Sequence, residues 1–189
     1  MKKHQIILFL FSFILVYNAS AQENYGSTLN FGLGIGGQTG YYGYANRSLP
    51  VFHLNYEFDV AKNFTLAPFI SVSSFSNDYY WGNNNNPYRF YTFRETVIPI
   101  GLKGSYYFDD LLKANSKWDF YLAGSLGFAI VSQTWDNGYN GDKNYYRSGN
   151  AVFLDIHIGA EYHFNRRLGA FLDLSSGVST LGLAIHGTK

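Results

Sequence analysis

The chain has 189 residues, with 14 basic and 13 acidic side chains and no cysteine. So even a charge balance excludes electrostatic steering toward nucleic acid, and the missing cysteines exclude a disulfide framework, a lipidated cysteine and a thiolate metal site. Aromatic residues make up 20% and charged residues 14%, with 20 glycines; an average chain is about 25% charged, and many rings with few charges suit a surface that meets lipid.

The first segment, MKKHQIILFLFSFILVYNASAQ, has a basic head at Lys2 and Lys3, a largely apolar stretch from Ile6 to Tyr17 and a small-x-small end at Ala19-Ser20-Ala21. That order predicts a secretory signal peptide over 1–21, cleaved after Ala21, and one mature domain over 22–189. The apolar stretch is shorter than the roughly 20 residues a bilayer-crossing helix needs. Losing Lys2 and Lys3 leaves 12 basic against 13 acidic residues, a net charge of −1.

Beyond the signal, apolar residues alternate with small or polar ones and turn residues intervene, which is the pattern of strands. The alternation predicts eight, at about 27–37, 50–60, 64–75, 94–108, 118–132, 150–164, 168–175 and 179–187. Most are near the roughly 9 to 11 residues that a tilted strand needs to cross a membrane. In the first, Leu29, Phe31, Leu33 and Ile35 oppose Asn30, Gly32, Gly34 and Gly36; in the second, Phe52, Leu54, Tyr56 and Phe58 oppose His53, Asn55, Glu57 and Asp59. The fourth to eighth repeat the theme, and the third is mixed.

Alternation alone leaves open which face is inside. A lipocalin-type barrel would turn its greasy face inward. The inverse is favoured because the polar face is rich in Gly, Ala and Ser, as a cramped eight-stranded interior requires, and not in Lys and Glu. Outward positions in the strand centres carry no Lys or Arg, each of which would cost about 2–4 kcal/mol at mid-bilayer. Tyr106, Tyr107, Phe108, Tyr162 and Phe164 gather near strand ends as interfacial girdles do. The links at 38–49, 76–93 and 133–149 are long while 61–63 and 165–167 are tight, the alternation of outer loops and periplasmic turns; 109–117 and 176–179 depart from it. The expected fold is all-β, a closed antiparallel up-and-down transmembrane β-barrel of eight strands.

The segments TVIPIGLKGSYYF (96–108) and WDFYLAGSLGFAI (118–130), with HIGAEYHFNRRLGAFLDLS (157–175), resemble the small outer-membrane β-barrel domain family of Gram-negative bacteria, of the OmpA/OmpX-like, porin-family type. The resemblance covers nearly the whole mature chain and specifies fold better than activity. It implies export to the outer membrane and no catalytic residues. The chain ends on GLAIHGTK, where chains of this kind commonly end on an aromatic residue that the assembly machinery reads. The expected partners are outer-membrane lipid, lipopolysaccharide and that machinery, with no nucleic acid, and the expected state is a monomer.

Inward placement gathers His53, Glu57, Lys103, Asp155, His157, Glu161, His163 and Asp173 in the lumen. His157 and Glu161 stand about 13 Å apart along one strand and cannot share an ion. Asp155 with His157, or Glu161 with His163, could each give two ligands, but the others would have to come from neighbouring strands. The sequence does not signal them, so neither metal nor cofactor is expected. A closed barrel must pair the charges it encloses. A buried polar network follows, with Lys103 the candidate partner of Glu57 and Glu161, and with Asp173 on the next strand. No serine, histidine and carboxylate set is visibly grouped, and no catalytic residue is assigned.

In the 77–93 segment, Tyr79, Tyr80, Trp81, Tyr88 and Arg89 could contact sugars or lipopolysaccharide, or settle into headgroups as an aromatic rim. The 134–149 segment lacks the spacing of an EF-hand. The expected role is structural or surface-interacting, with a plugged lumen and no enzymatic activity. A narrow pore for small solutes and a lipid A-modifying barrel enzyme are the alternatives.

Overall fold

Where a large apolar side chain alternates with a small or polar one, an extended backbone can present one set to each side of a sheet. In the computed structural model of the chain this alternation builds eight long strands and one very short one. The structure describes residues 26–36, 47–48, 50–112, 117–143 and 151–187. The expected signal peptide, most of the 38–49 link, residues 144–149 of the 134–149 segment and the last two residues lie outside them.

The strands are β1 (Ser27–Gly36), β2 (Arg47–Ser48), β3 (Val51–Ala61), β4 (Phe64–Asn83), β5 (Asn86–Tyr107), β6 (Trp118–Trp135), β7 (Ala151–His163), β8 (Leu168–Ser175) and β9 (Val178–His186). A single helical turn, α1 (Asp109–Leu112), follows β5. Each long strand pairs antiparallel with the next, β4 with β5 included, and β1 pairs with β9, so the sheet closes on itself as an eight-stranded ring. The two-residue β2 lies outside the ring, paired to β4 at Phe75 and Ser76.

Tight turns have local causes. Between β3 and β4, Asn63 adopts a left-handed conformation (φ 57°), which asparagine tolerates. Between β7 and β8, the Asn165 side chain accepts bonds from the Arg167 and Leu168 amides at 2.8 and 3.0 Å. Ser176 and Gly177 alone separate β8 from β9.

Polarity is inside out. Leu29, Phe31, Leu126, Leu154, Ile156 and Leu181 are exposed on the outer face, with Leu154 at 73%. Thr28, Asn55, Glu57, Lys103, Asp155, Glu161 and Asp173 are buried within. Rings cluster on the outer face near the short-turn end: Trp118 stacks on Phe120 at 5.9 Å and meets Tyr162 at 4.9 Å, and Tyr162 meets Phe164 at 5.6 Å.

Inward glycines make room for inward rings. Phe171 lies over Gly32 and Gly182, Tyr121 over Gly159, Phe153 over Gly127 and Phe69 over Gly101. A ring of eight strands is narrow, so each large side chain inside it needs a facing position without a Cβ.

The expected loop at 76–93 is not a loop. Strands β4 and β5 continue through it in register from Asn77↔Phe93 to Trp81↔Arg89 and close at Asn83↔Asn86. Neighbouring strands stop earlier: β3 pairs with β4 only as far as Val72, and β6 with β5 as far as Phe93. The hairpin therefore projects beyond the ring at its long-loop end.

Candidate functional site: the filled lumen

The interior is organised in tiers, each built from inward positions of several strands. At the short-turn end Glu57 on β3 accepts bonds from Tyr107 at 2.6 Å, from Thr65, and from Asn30 at 3.3 Å. Across the same tier Glu161 on β7 meets His186 of β9 at 2.7 Å, and His163 meets Asp119 of β6 at 2.7 Å.

The middle tier centres on Asp173 of β8. One of its oxygens accepts from Lys103 Nζ and from the Tyr121 hydroxyl, each at 2.8 Å, and the other accepts from His157 Nδ1 at 2.7 Å. With Nδ1 donating, His157 Nε2 accepts from the Ser125 hydroxyl at 2.9 Å. Lys103 also stands over the Tyr121 ring, 4.7 Å from its centroid. His53 bonds Ser71 at 2.8 Å and Asn55 at 3.0 Å and packs on Phe69.

Above it, Phe69, Val97, Ala129 and Phe153 form an apolar collar. Beyond the collar Glu95 accepts from Gln133 at 2.7 Å, and an aromatic stack follows. Tyr139, reaching in from the segment after β6, lies flat on Trp135 at 4.1 Å and contacts Trp81 and Tyr91 at 5.2 Å each. Tyr139 and Tyr91 are 3% and 2% exposed, so the stack is buried at the long-loop end.

All eight residues expected in the lumen lie on inward positions, but their pairing differs from expectation. Lys103 serves Asp173, not Glu57 or Glu161. Glu57 is held by neutral donors and Glu161 by a histidine. Asp155, in register with Ser125, accepts from Ser176 at 3.3 Å beside Gly177.

A second correction concerns catalysis. Ser125, His157 and Asp173 are grouped after all, in the hydrogen-bond order of a serine hydrolase relay. The adjoining cavity, lined by His53, Ser71, Lys103, Ser125, His157 and Asp173, has a volume of about 20 Å³, room for a single water. The relay ends in an ion pair with Lys103, and all of it is needed to satisfy buried polar groups.

The five aromatic and arginine residues expected to make surface contacts separate by face. Tyr80 and Tyr88 point outward with Phe90, in mutual contact at 5.8 and 5.0 Å and more than half exposed. Tyr79 and Trp81 turn inward against Tyr139, and Arg89 sits 4.6 Å over Tyr91. His186 was not singled out from sequence, although outward Leu181, Leu183 and Ile185 fix it as inward.

No protein-family profile and no curated protein matches the chain. Solved structures do. The chain is similar to a de novo designed transmembrane β-barrel at 11% identity and a TM-score of 0.46, covering 88% of this chain and 97% of that one. It is similar to outer membrane protein W of E. coli, solved by NMR, at 14% identity and a TM-score of 0.45, covering 86% and 97%. With Ail, the attachment invasion locus protein of Yersinia pestis, solved with the heparin analogue sucrose octasulfate, it shares 9% identity and a TM-score of 0.43 over 87% and 99%. The strand pairing of the chain itself makes it a closed eight-stranded antiparallel barrel, apolar outside and polar within.

Proposed function

We propose that the protein is an integral outer-membrane barrel with a sealed lumen, acting as a structural or surface-interacting component of the envelope and not as a pore or an enzyme. The observation that carries this reading is the filling of the interior along its length: two hydrogen-bonded polar tiers, an apolar collar and an aromatic stack. An open channel needs a continuous wet path, and the apolar collar speaks against one. The exposed apolar belt supports a bilayer as the surrounding medium, since soluble monomers rarely expose apolar patches beyond a few hundred Å².

Planar-bilayer recording tests the sealed lumen, with folding first verified by the shift in gel migration on heating. The expected outcome is no conductance above the lipid baseline. Reproducible conductance steps that change size in Lys103→Ala would establish the pore instead.

The projecting hairpin supports contact with the outer leaflet. Tyr80, Tyr88 and Phe90 form an exposed cluster on its outer side, placed beyond the ring where rings settle among headgroups. We expect lipopolysaccharide retained per barrel after mild detergent extraction to fall when all three are changed to Ser. Unchanged retention would remove this contact from the reading.

A further inference from the structure

We propose that Glu161, His163 and His186 form a binding site for a borderline divalent transition ion of the Zn²⁺ class at the short-turn mouth of the barrel. One donor atom from each lies within 4.8 Å of the others. Glu161 Oε1 is 2.7 Å from His186 Nε2 and 3.8 Å from His163 Nδ1, and the two imidazoles lie 4.9 Å apart. Around a tetrahedral ion with ligands at about 2.0–2.1 Å, donor atoms stand about 3.3 Å apart. Small side-chain rotations reach that spacing from the present one.

The outer partners of the two histidines are those a metal ligand needs. His163 Nε2 donates to Asp119 at 2.7 Å, which leaves its Nδ1 lone pair directed at Glu161. Such a carboxylate behind a histidine fixes the tautomer and strengthens the ligand. His186 Nδ1 is 3.0 Å from Thr28 Oγ1. A hydroxyl can donate or accept, so His186 can shift its proton from Nε2, where it now faces Glu161, to Nδ1 and present Nε2 to an ion without losing a bond.

The backbone beneath the ligands is fixed. The His163 amide donates to Lys117 at 2.8 Å, and the His186 amide to Arg167 at 2.9 Å. Gly169 leaves the space that the Glu161 carboxylate fills. Two imidazole nitrogens and one carboxylate oxygen form a borderline donor set that suits Zn²⁺ and disfavours Ca²⁺ and Mg²⁺, which prefer all-oxygen shells. The charge also fits, because Glu161 and Asp119 face histidines here.

The site bridges β7 and β9, and Thr28 beside it lies on β1. An ion there would pin the last strand next to the β1–β9 seam that closes the barrel, which makes it a staple. Glu161 is buried, and the partly exposed His163 and His186 at the mouth leave the site reachable from solution.

Calorimetric titration of the detergent-folded protein with ZnCl₂ tests the assignment, each variant being checked for folding by heat-shifted gel migration. We expect saturable binding at one ion per barrel, at least 10-fold weaker in His163→Ala and in His186→Ala and unchanged in His53→Gln. Asp119→Asn, which keeps the shape of the site, should weaken binding about 10-fold. Glu161→Gln serves where an alanine variant does not fold, and should weaken it similarly. Zn²⁺ should also raise the thermal midpoint of the wild type and not that of His163→Ala. The proposal is overturned if the wild type shows no stoichiometric binding, or if folded His186→Ala or Glu161→Gln binds as tightly as the wild type.

Discussion

Asp173 is bonded from three successive strands, by Lys103 of β5, Tyr121 of β6 and His157 of β7. Such a residue acts as a knot, because any slip of one strand would leave buried polar groups without partners. Breaking a buried pair at one partner costs about 3–5 kcal/mol, since the other charge stays enclosed and unpaired. Asp173→Asn should therefore lower the stability of the folded barrel by that order, read as a shift of the urea midpoint in detergent micelles. Replacing both partners with apolar residues of similar volume, Lys103→Met with Asp173→Leu, should recover much of the loss. Strict additivity of the two single changes would mean that the pair contributes nothing as a pair. The identity of Lys103's partner was not legible in the sequence. Facing sides of a ring are brought together by its tilt and stagger, and alternation along one strand carries no information about either.

At the scale of the element, the glycine and ring pairs set how strands lie against one another. A Cβ at Gly159 would drive into the Tyr121 ring, whose hydroxyl serves Asp173. Gly159→Ala should cost about 1–3 kcal/mol, the usual penalty of overpacking a filled interior. Gly124→Ala is the control, because there a Cβ meets nothing nearer than the Asp155 carbonyl oxygen at 3.9 Å. It should be neutral or slightly stabilising, through loss of freedom in the unfolded chain. Equal costs at both sites, measured by the same urea titration, would refute the role given to the rings. Strand β1 was legible from sequence because Leu29, Phe31, Leu33 and Ile35 contrast sharply with the glycines and asparagine between them. The hairpin tip was not. Tyr79, Trp81 and Tyr91 face inward while Tyr80, Tyr88 and Phe90 face outward, so both sides are aromatic and period two has no contrast to display. His186 was legible in principle: three outward aliphatic residues at alternate positions place it inward, but its partner Glu161 lies two strands away.

For the whole molecule, the polarity of the wall decides the rest. The proposed sealed lumen, the proposed outer-leaflet contact of the hairpin and the proposed ion site have meaning only if the exposed aliphatic surface faces hydrocarbon. Leu126 is 57% exposed near the middle of the β6 face, and Thr134 lies on the same outer side toward the long-loop end. In a bilayer the cost of an outward arginine depends on depth, about 2–4 kcal/mol at the midplane and about 0–1 near the interfaces. Leu126→Arg and Thr134→Arg introduce the same side chain on one face of one strand, and only their depth separates them. Folding into phospholipid vesicles, followed against denaturant, should show a loss of about 2–4 kcal/mol for the first and little for the second. A water-filled surrounding would make the two alike, because an arginine on a wet surface is indifferent to its height along the strand. The difference between the two variants thus measures the medium outside the barrel directly, without reference to anything held within it.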